Sequence, residues 1–157
     1  MAYKVFLSHS SRDQGLVISL ASLLKRLGIE VFVAEWYLSP GQPLSQKVFA
    51  ELRAADCVVV LLTGSGVRSQ WVQQEIGYAL STSKRVIPLV EKGVDRTTLG
   101  ALQGVEYVEY DPAQPQESLN RLITFVNSLK TAQVNVEGIL VMAGVVLLLL
   151  LLTGKQK

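Results

Sequence analysis

Asp56-Cys57-Val58-Val59-Val60-Leu61-Leu62-Thr63-Gly64 decides the fold of this chain. A strand with one wet face alternates apolar and polar residues, whereas an unbroken apolar run between turn residues marks a strand covered on both faces. Moving toward the C-terminus, Ser69-Gln70-Trp71-Val72-Gln73-Gln74-Glu75-Ile76 opens a helix predicted over Gln70–Ser81. A strand Arg85–Val90, a Gly-containing charged loop, a short strand Val105–Val108 and a helix Gln116–Leu129 follow. Toward the N-terminus, the strand Tyr3–Leu7 runs into Ser8-His9-Ser10-Ser11, and Asp13 precedes a helix whose Leu16, Leu20, Leu23, Leu24 and Leu27 keep helical spacing until Gly28 stops it. Ile29–Val33 is the second strand, Ala34–Pro43 a loop, and Leu44–Ala55 a helix with Val48, Phe49 and Leu52 inward. Strands alternating with helices predict a parallel sheet of five strands with helices on both faces.

The 157 residues suit one domain plus an appendage. A formal net charge of +2, with no stripe of Lys and Arg on any one element, argues against a nucleic-acid partner. Cys57 has no second thiol to pair with, which excludes a disulfide framework and a Cys-rich metal site. A buried, reduced thiol in a cytosolic domain is the expectation.

The tail is different in kind. Gly138–Gly154 contains six consecutive leucines and no charge, and at about 1.5 Å per residue it makes roughly 25 Å of helix. That is close to the roughly 30 Å hydrocarbon core of a bilayer, and Lys155 and Lys157 can snorkel to the interface. The expectation is a single-pass transmembrane helix over 138–154, joined by a polar linker over 131–137 to a domain over 2–130. No signal-peptide pattern opens the chain, so the domain is expected in the cytoplasm, anchored by its tail. The terminal lysines run against the positive-inside rule.

Several chemistries are excluded by residue type. A receiver-type phosphoacceptor needs an Asp at the end of the central strand, where this chain has Thr63. There is no P-loop pattern. Gly64-Ser65-Gly66 matches half of a dinucleotide fingerprint without its third glycine or a following acid roughly twenty residues on, and reads as a turn. His9 is the sole histidine, so neither a multi-His metal site nor a Ser-His-Asp triad is expected, and His9 reads as a binding or structural residue. Trp71 and Glu75, four apart, share one helix face, which in an open parallel sheet can border the crevice beyond the carboxyl ends of the strands. Two readings remain open for the pair. It is an acid beside an aromatic wall for a sugar nucleotide, or Trp71 packs on the sheet while Glu75 is a solvated first-turn residue favoured by the helix dipole.

Three segments carry a family resemblance. Lys4-Val5-Phe6-Leu7-Ser8-His9-Ser10-Ser11-Arg12-Asp13 resembles the first box of Toll/interleukin-1 receptor (TIR) domains. Val31-Phe32-Val33-Ala34-Glu35-Trp36 with Pro40-Gly41-Gln42-Pro43-Leu44 resembles their BB loop, and Ser69-Gln70-Trp71 with Glu75-Ile76 their third-helix motif. Order and spacing match over roughly residues 2–130, and the Glu35-Trp36 form of the loop is most similar to prokaryotic members. The resemblance implies a flavodoxin-like three-layer α/β fold with a five-stranded parallel sheet, to which the tail adds one transmembrane helix.

It also implies an enzyme that cleaves NAD+ between nicotinamide and ribose, with Glu75 of the Trp-x-x-x-Glu pattern catalytic. By the same resemblance Ser10, Ser11 and Ser39 fall at dinucleotide contact positions, His9 lies beside them, and Trp36 and Trp71 offer stacking faces. NAD+ is then a substrate; no cofactor and no metal are expected. The implied partners are NAD+, the lipid bilayer and further copies of the domain through the BB loop Ala34–Pro43, in membrane-bound signalling or defence. Ala34 departs from the Asp common in prokaryotic relatives at that position, and small hydroxyls at Ser10 and Ser11 replace basic side chains found in others. The competing function is a non-catalytic scaffold that signals by TIR–TIR assembly at the membrane. Whether the product is ADP-ribose, cyclic ADP-ribose or an isomer is not encoded in these motifs.

Overall fold

Six apolar residues in a row need cover on both faces, and strand β3 (Cys57–Leu62) has it. In the computed structural model of the chain, which describes residues 2–34 and 44–153, all six are buried. β3 lies between β1 (Lys4–Ser8) and β4 (Arg85–Glu91), with β2 (Glu30–Val33) and β5 (Val108–Tyr110) outside them, in the order β2-β1-β3-β4-β5. Every pairing is parallel. The expected five-stranded parallel α/β sheet is therefore the observed one, with the flavodoxin-like strand order. The chain leaves β1 toward one edge and enters β3 toward the other, so the strand order reverses between β1 and β3.

Successive side chains of a strand alternate between faces. Phe6 of β1 and Val58, Val60 and Leu62 of β3 point to one side, where they pack with Val48 and Leu52 of α2 (Leu44–Ala54) and with Val72, Ile76 and Ala79 of α3 (Gln70–Ser81). Phe49 of α2 stacks on Tyr78 of α3 with centroids 4.3 Å apart. Helix α1 (Gln14–Arg26) buries Val17, Leu20, Ala21 and Leu24. It ends as the sequence requires: Gly28 takes φ +67° while its N–H and that of Ile29 close back on the carbonyls of Lys25 and Leu24.

Several element boundaries differ from the sequence reading, those of β1 and β5 among them. β1 runs to Ser8, pairing it with Val60. β5 starts at Val108 instead of spanning Val105–Val108, because Gly104 turns with φ +85° and the Val105 N–H bonds the carbonyl of Leu102. The loop before it contains a 3-10 segment, Arg96–Leu102, whose Leu99 and Leu102 are buried in the core.

The last helix, α4, runs unbroken over Pro115–Thr153. The polar segment 131–137 lies within it: no Gly or Pro interrupts before Gly138, and the side chains of Thr131 and Gln133 bond one turn away, to the Asn127 carbonyl and to Glu137. Leu119, Leu122 and Ile123 of its first turns are buried and belong to the unit Met1–Ile123; Thr124–Lys157 forms a second unit. In that second unit Ile139, Leu140, Val141 and Met142 are each more than 60% exposed. The described part of α4 is the one helix here long and apolar enough to cross a membrane.

Candidate active site

The alternation that sends Phe6 toward α3 sends Ser8 the same way, one pleat nearer the carboxyl end of the sheet. There its hydroxyl donates to Oε2 of Glu75. Glu75 reaches that point because Ser69 caps α3, its Oγ accepting the Val72 N–H at 3.3 Å, and the fixed helix start places Glu75 beside Ile76 on the buried face. Glu75 is only 2% exposed. The sequence reading of a solvated first-turn carboxylate is therefore corrected. A carboxylate is costly to bury unless hydrogen-bonded, and Ser8 supplies a donor from the neighbouring strand.

After Ser8 the chain forms a tight lip. His9 and Ser10 are nearly buried. His9 Nδ1 lies 2.8 Å from the Ser10 carbonyl, which only accepts, so Nδ1 carries the proton of that bond. The Ser10 hydroxyl caps the 3-10 turn Ser11–Asp13 by accepting from the Arg12 N–H, and Ser11 is exposed at the start of that turn. Trp71 is half-buried and packs against the hydrophobic core. Thus Ser8 binds Glu75 through its hydroxyl and leads along the chain into the His9–Ser10 lip, and Trp71 is one turn from Glu75. Trp36 and Ser39 lie outside the described residues, as does the loop over 35–43; Ala34 before it packs on the core.

Thr63, Asp13 and Glu91, to which the sequence reading gives no site role, complete the carboxyl end. Thr63, at the exit of β3, donates to both carboxylate oxygens of Asp13 at 2.9 Å and accepts from the Ser65 and Gly66 N–H groups. Burial pushes the Asp13 carboxyl above its usual range, against the opposing pull of the Thr63 and Ser10 bonds. Glu91, at the end of β4, accepts from the Gly64 N–H at 2.9 Å. The Gly64-Ser65-Gly66 segment is a turn, as expected. Gly66 is required by packing, since a Cβ there would sit 2.1 Å from the Leu61 carbonyl oxygen. A cavity of about 460 Å3 opens beside this turn, lined by Asp13, Thr63, Arg68, Glu91 and Tyr110 among others. Ser8 was hidden in the sequence because a polar residue ending a strand reads as loop; its parity with Phe6 was the available signal.

Comparison with known proteins identifies the family. The sequence model of the family described as TIR domain matches residues 5–123. Two curated relatives are each 30% identical over 95 residues, covering 57% of this chain: a 2' cyclic ADP-D-ribose synthase of Acinetobacter baumannii, 35% of which is covered, and one of Bacteroides thetaiotaomicron, 33% covered. The match thus spans about a third of the length of those relatives. The fold is similar to the crystal structure of the TIR domain of the Toll-related receptor TRR-2 from Hydra magnipapillata, with a TM-score of 0.63 and 19% identity over 78% of this chain and 99% of that one.

Proposed function

Because the chain belongs to the TIR domain family, we propose that its domain cleaves NAD+ at the bond between nicotinamide and ribose, with Glu75 as the catalytic carboxylate. His9, Ser10, Ser11, Trp36, Ser39 and Trp71 are the proposed substrate contacts. The observation that carries this reading is the burial of Glu75 with its carboxylate held by Ser8 at the carboxyl end of the sheet. It sits near the point where strand order reverses, which is where such sheets receive ligands.

The chemistry suits one carboxylate. Nicotinamide departs with the electron pair of the glycosidic bond as a neutral group, so no acid need protonate it. Positive charge develops on the ribose carbon in an oxocarbenium-like transition state. A fixed carboxylate in a water-poor site stabilises that charge without reorganising. Capture of the ribosyl carbon by water, with loss of its proton, gives ADP-ribose; capture by a hydroxyl or ring nitrogen of the same molecule gives a cyclic isomer. Relatives named as cyclic ADP-ribose synthases support this class of outcome.

We further infer that the apolar part of α4 anchors the domain at a membrane, with the domain cytoplasmic, in signalling or defence, and that copies associate through the loop over 34–43. Its exposed, uncharged run of Ile, Val, Met and Leu supports the anchor. The full chain should stay with membranes through carbonate extraction; release into the soluble fraction contradicts the anchor. Reconstituted in lipid vesicles with NAD+, it should release nicotinamide and an ADP-ribose product in equal amounts by chromatography. NAD+ left intact at high protein density would instead favour a scaffold that signals by assembly.

A further inference from the structure

Thr63 uses every bonding capacity of its hydroxyl. The single proton goes to Asp13, and the two lone pairs take the Ser65 and Gly66 N–H groups at 3.2 and 3.0 Å. The hydroxyl is buried, so its direction is fixed by the β3 turn and it points across the strand-order switch at the residue that closes the lip after β1. Asp13 in turn donates its N–H to the Ser10 carbonyl at 2.9 Å, the same oxygen that receives His9 Nδ1. A chain of three hydrogen bonds therefore runs from β3 to the His9 ring: Thr63 to Asp13, Asp13 to Ser10, His9 to Ser10.

We propose that Thr63 and Asp13 are positioning residues that latch the His9–Ser10 lip in the orientation that receives substrate. This rests on the NAD+ reading above. Glu75 has its own support. That carboxylate is bound by Ser8, which the β1–β3 ladder fixes independently through its pairing with Val60. Loss of the latch therefore weakens binding while leaving the step that Glu75 stabilises, a separation seen as a change in KM with kcat preserved.

Asp13→Ala is the cleaner test, because it breaks the bond across the crevice while the Thr63 bonds to Ser65 and Gly66 remain. Asp13→Asn keeps an acceptor oxygen for the Thr63 hydroxyl, and Thr63→Ser keeps the hydroxyl itself. In the full chain in lipid vesicles, Asp13→Ala should raise KM for NAD+ by about tenfold with kcat within about twofold. Asp13→Asn and Thr63→Ser should stay within about threefold of the unaltered KM. Independently of turnover, amide hydrogen exchange over His9–Asp13 should quicken by about tenfold or more in Asp13→Ala, with the amides of β1 and β3 unchanged. Unchanged exchange in that segment overturns the latch. So does an Asn variant as impaired as the Ala variant, which would make the charge and not the bond responsible. If the unaltered chain consumes no NAD+, the activity reading fails, and the exchange rates alone decide the latch.

Discussion

The two ends of the sheet hold their carboxylates differently. At the amino end, Lys4 pairs with Glu51 and, at 3.7 Å, with Glu30, while its backbone N–H donates to Asp56 at 2.7 Å. Lys84 joins the same end by donating to the Ala55 carbonyl at 2.7 Å. At the carboxyl end Lys92 pairs with Asp111 at 2.7 Å on the rim, but the inner carboxylates are held otherwise: Glu75 by the Ser8 hydroxyl, Asp13 by the Thr63 hydroxyl and Glu91 by the Gly64 N–H. A lysine fixes a carboxylate and cancels its charge, whereas a hydroxyl or an amide fixes it and leaves the charge in place. The amino end staples strand to helix; on the NAD+ reading proposed above, the inner carboxylates of the carboxyl end are held oriented where substrate charge would develop.

The largest effect on stability should come from the carboxyl end, where the backbone is tightest. In Gly66→Ala the new methyl meets the Leu61 carbonyl oxygen, which cannot move without shifting the β3 exit. A loss of about 1–3 kcal/mol is expected, with Tm lowered by several degrees and turnover lost along with the turn. An Ala variant with unaltered Tm would mean the turn yields freely and that this end is not rigid.

At the amino end the expected effect is smaller and confined to stability. Glu51→Gln should cost about 0.2–1 kcal/mol, the range for partly exposed ion pairs, and leave NAD+ turnover unchanged. Burial pulls the Lys4 pKa down, but Glu51 and Glu30 outweigh it and the net shift is upward. A folded-state value above the unfolded one means the ammonium contributes stability below the unfolded value near 10.5, and this is lost as pH rises through the folded value. Thermal melts of the Gln variant and the unaltered chain should therefore differ at neutral pH and converge in strong alkali. A variant that lost turnover instead would erase the division between the two ends.

The scaffold was legible in the sequence because β3 has no polar residue to turn outward and because Ser69 and Gly28 mark helix ends by their own chemistry. The limits of α3 matched the reading at both ends. α4 continues past Leu129, where the sequence reading ends it, because the polar side chains over 131–137 end no helix when neither Gly nor Pro is present. The candidate site was legible only in part. Glu75 was identifiable by motif, but its burial was not, since a glutamate near a helix start is solvated unless a donor waits on the facing strand. Thr63 was visible only as the absence of an aspartate. Its bond to Asp13, fifty residues away, exists only once β1 and β3 lie side by side.

The account turns on Glu75, and the most direct measurement is nicotinamide release from NAD+ by Glu75→Gln beside the unaltered chain, both in lipid vesicles and both checked by thermal melt. Gln keeps an oxygen to accept the Ser8 hydroxyl, so folding should survive at a cost of about 1 kcal/mol. Turnover should fall by about a hundredfold or more, the loss typical when a group stabilising transition-state charge is removed. A well-folded Gln variant releasing nicotinamide at the unaltered rate would contradict the assignment of Glu75 and, with it, the reading of the carboxyl end as the active site.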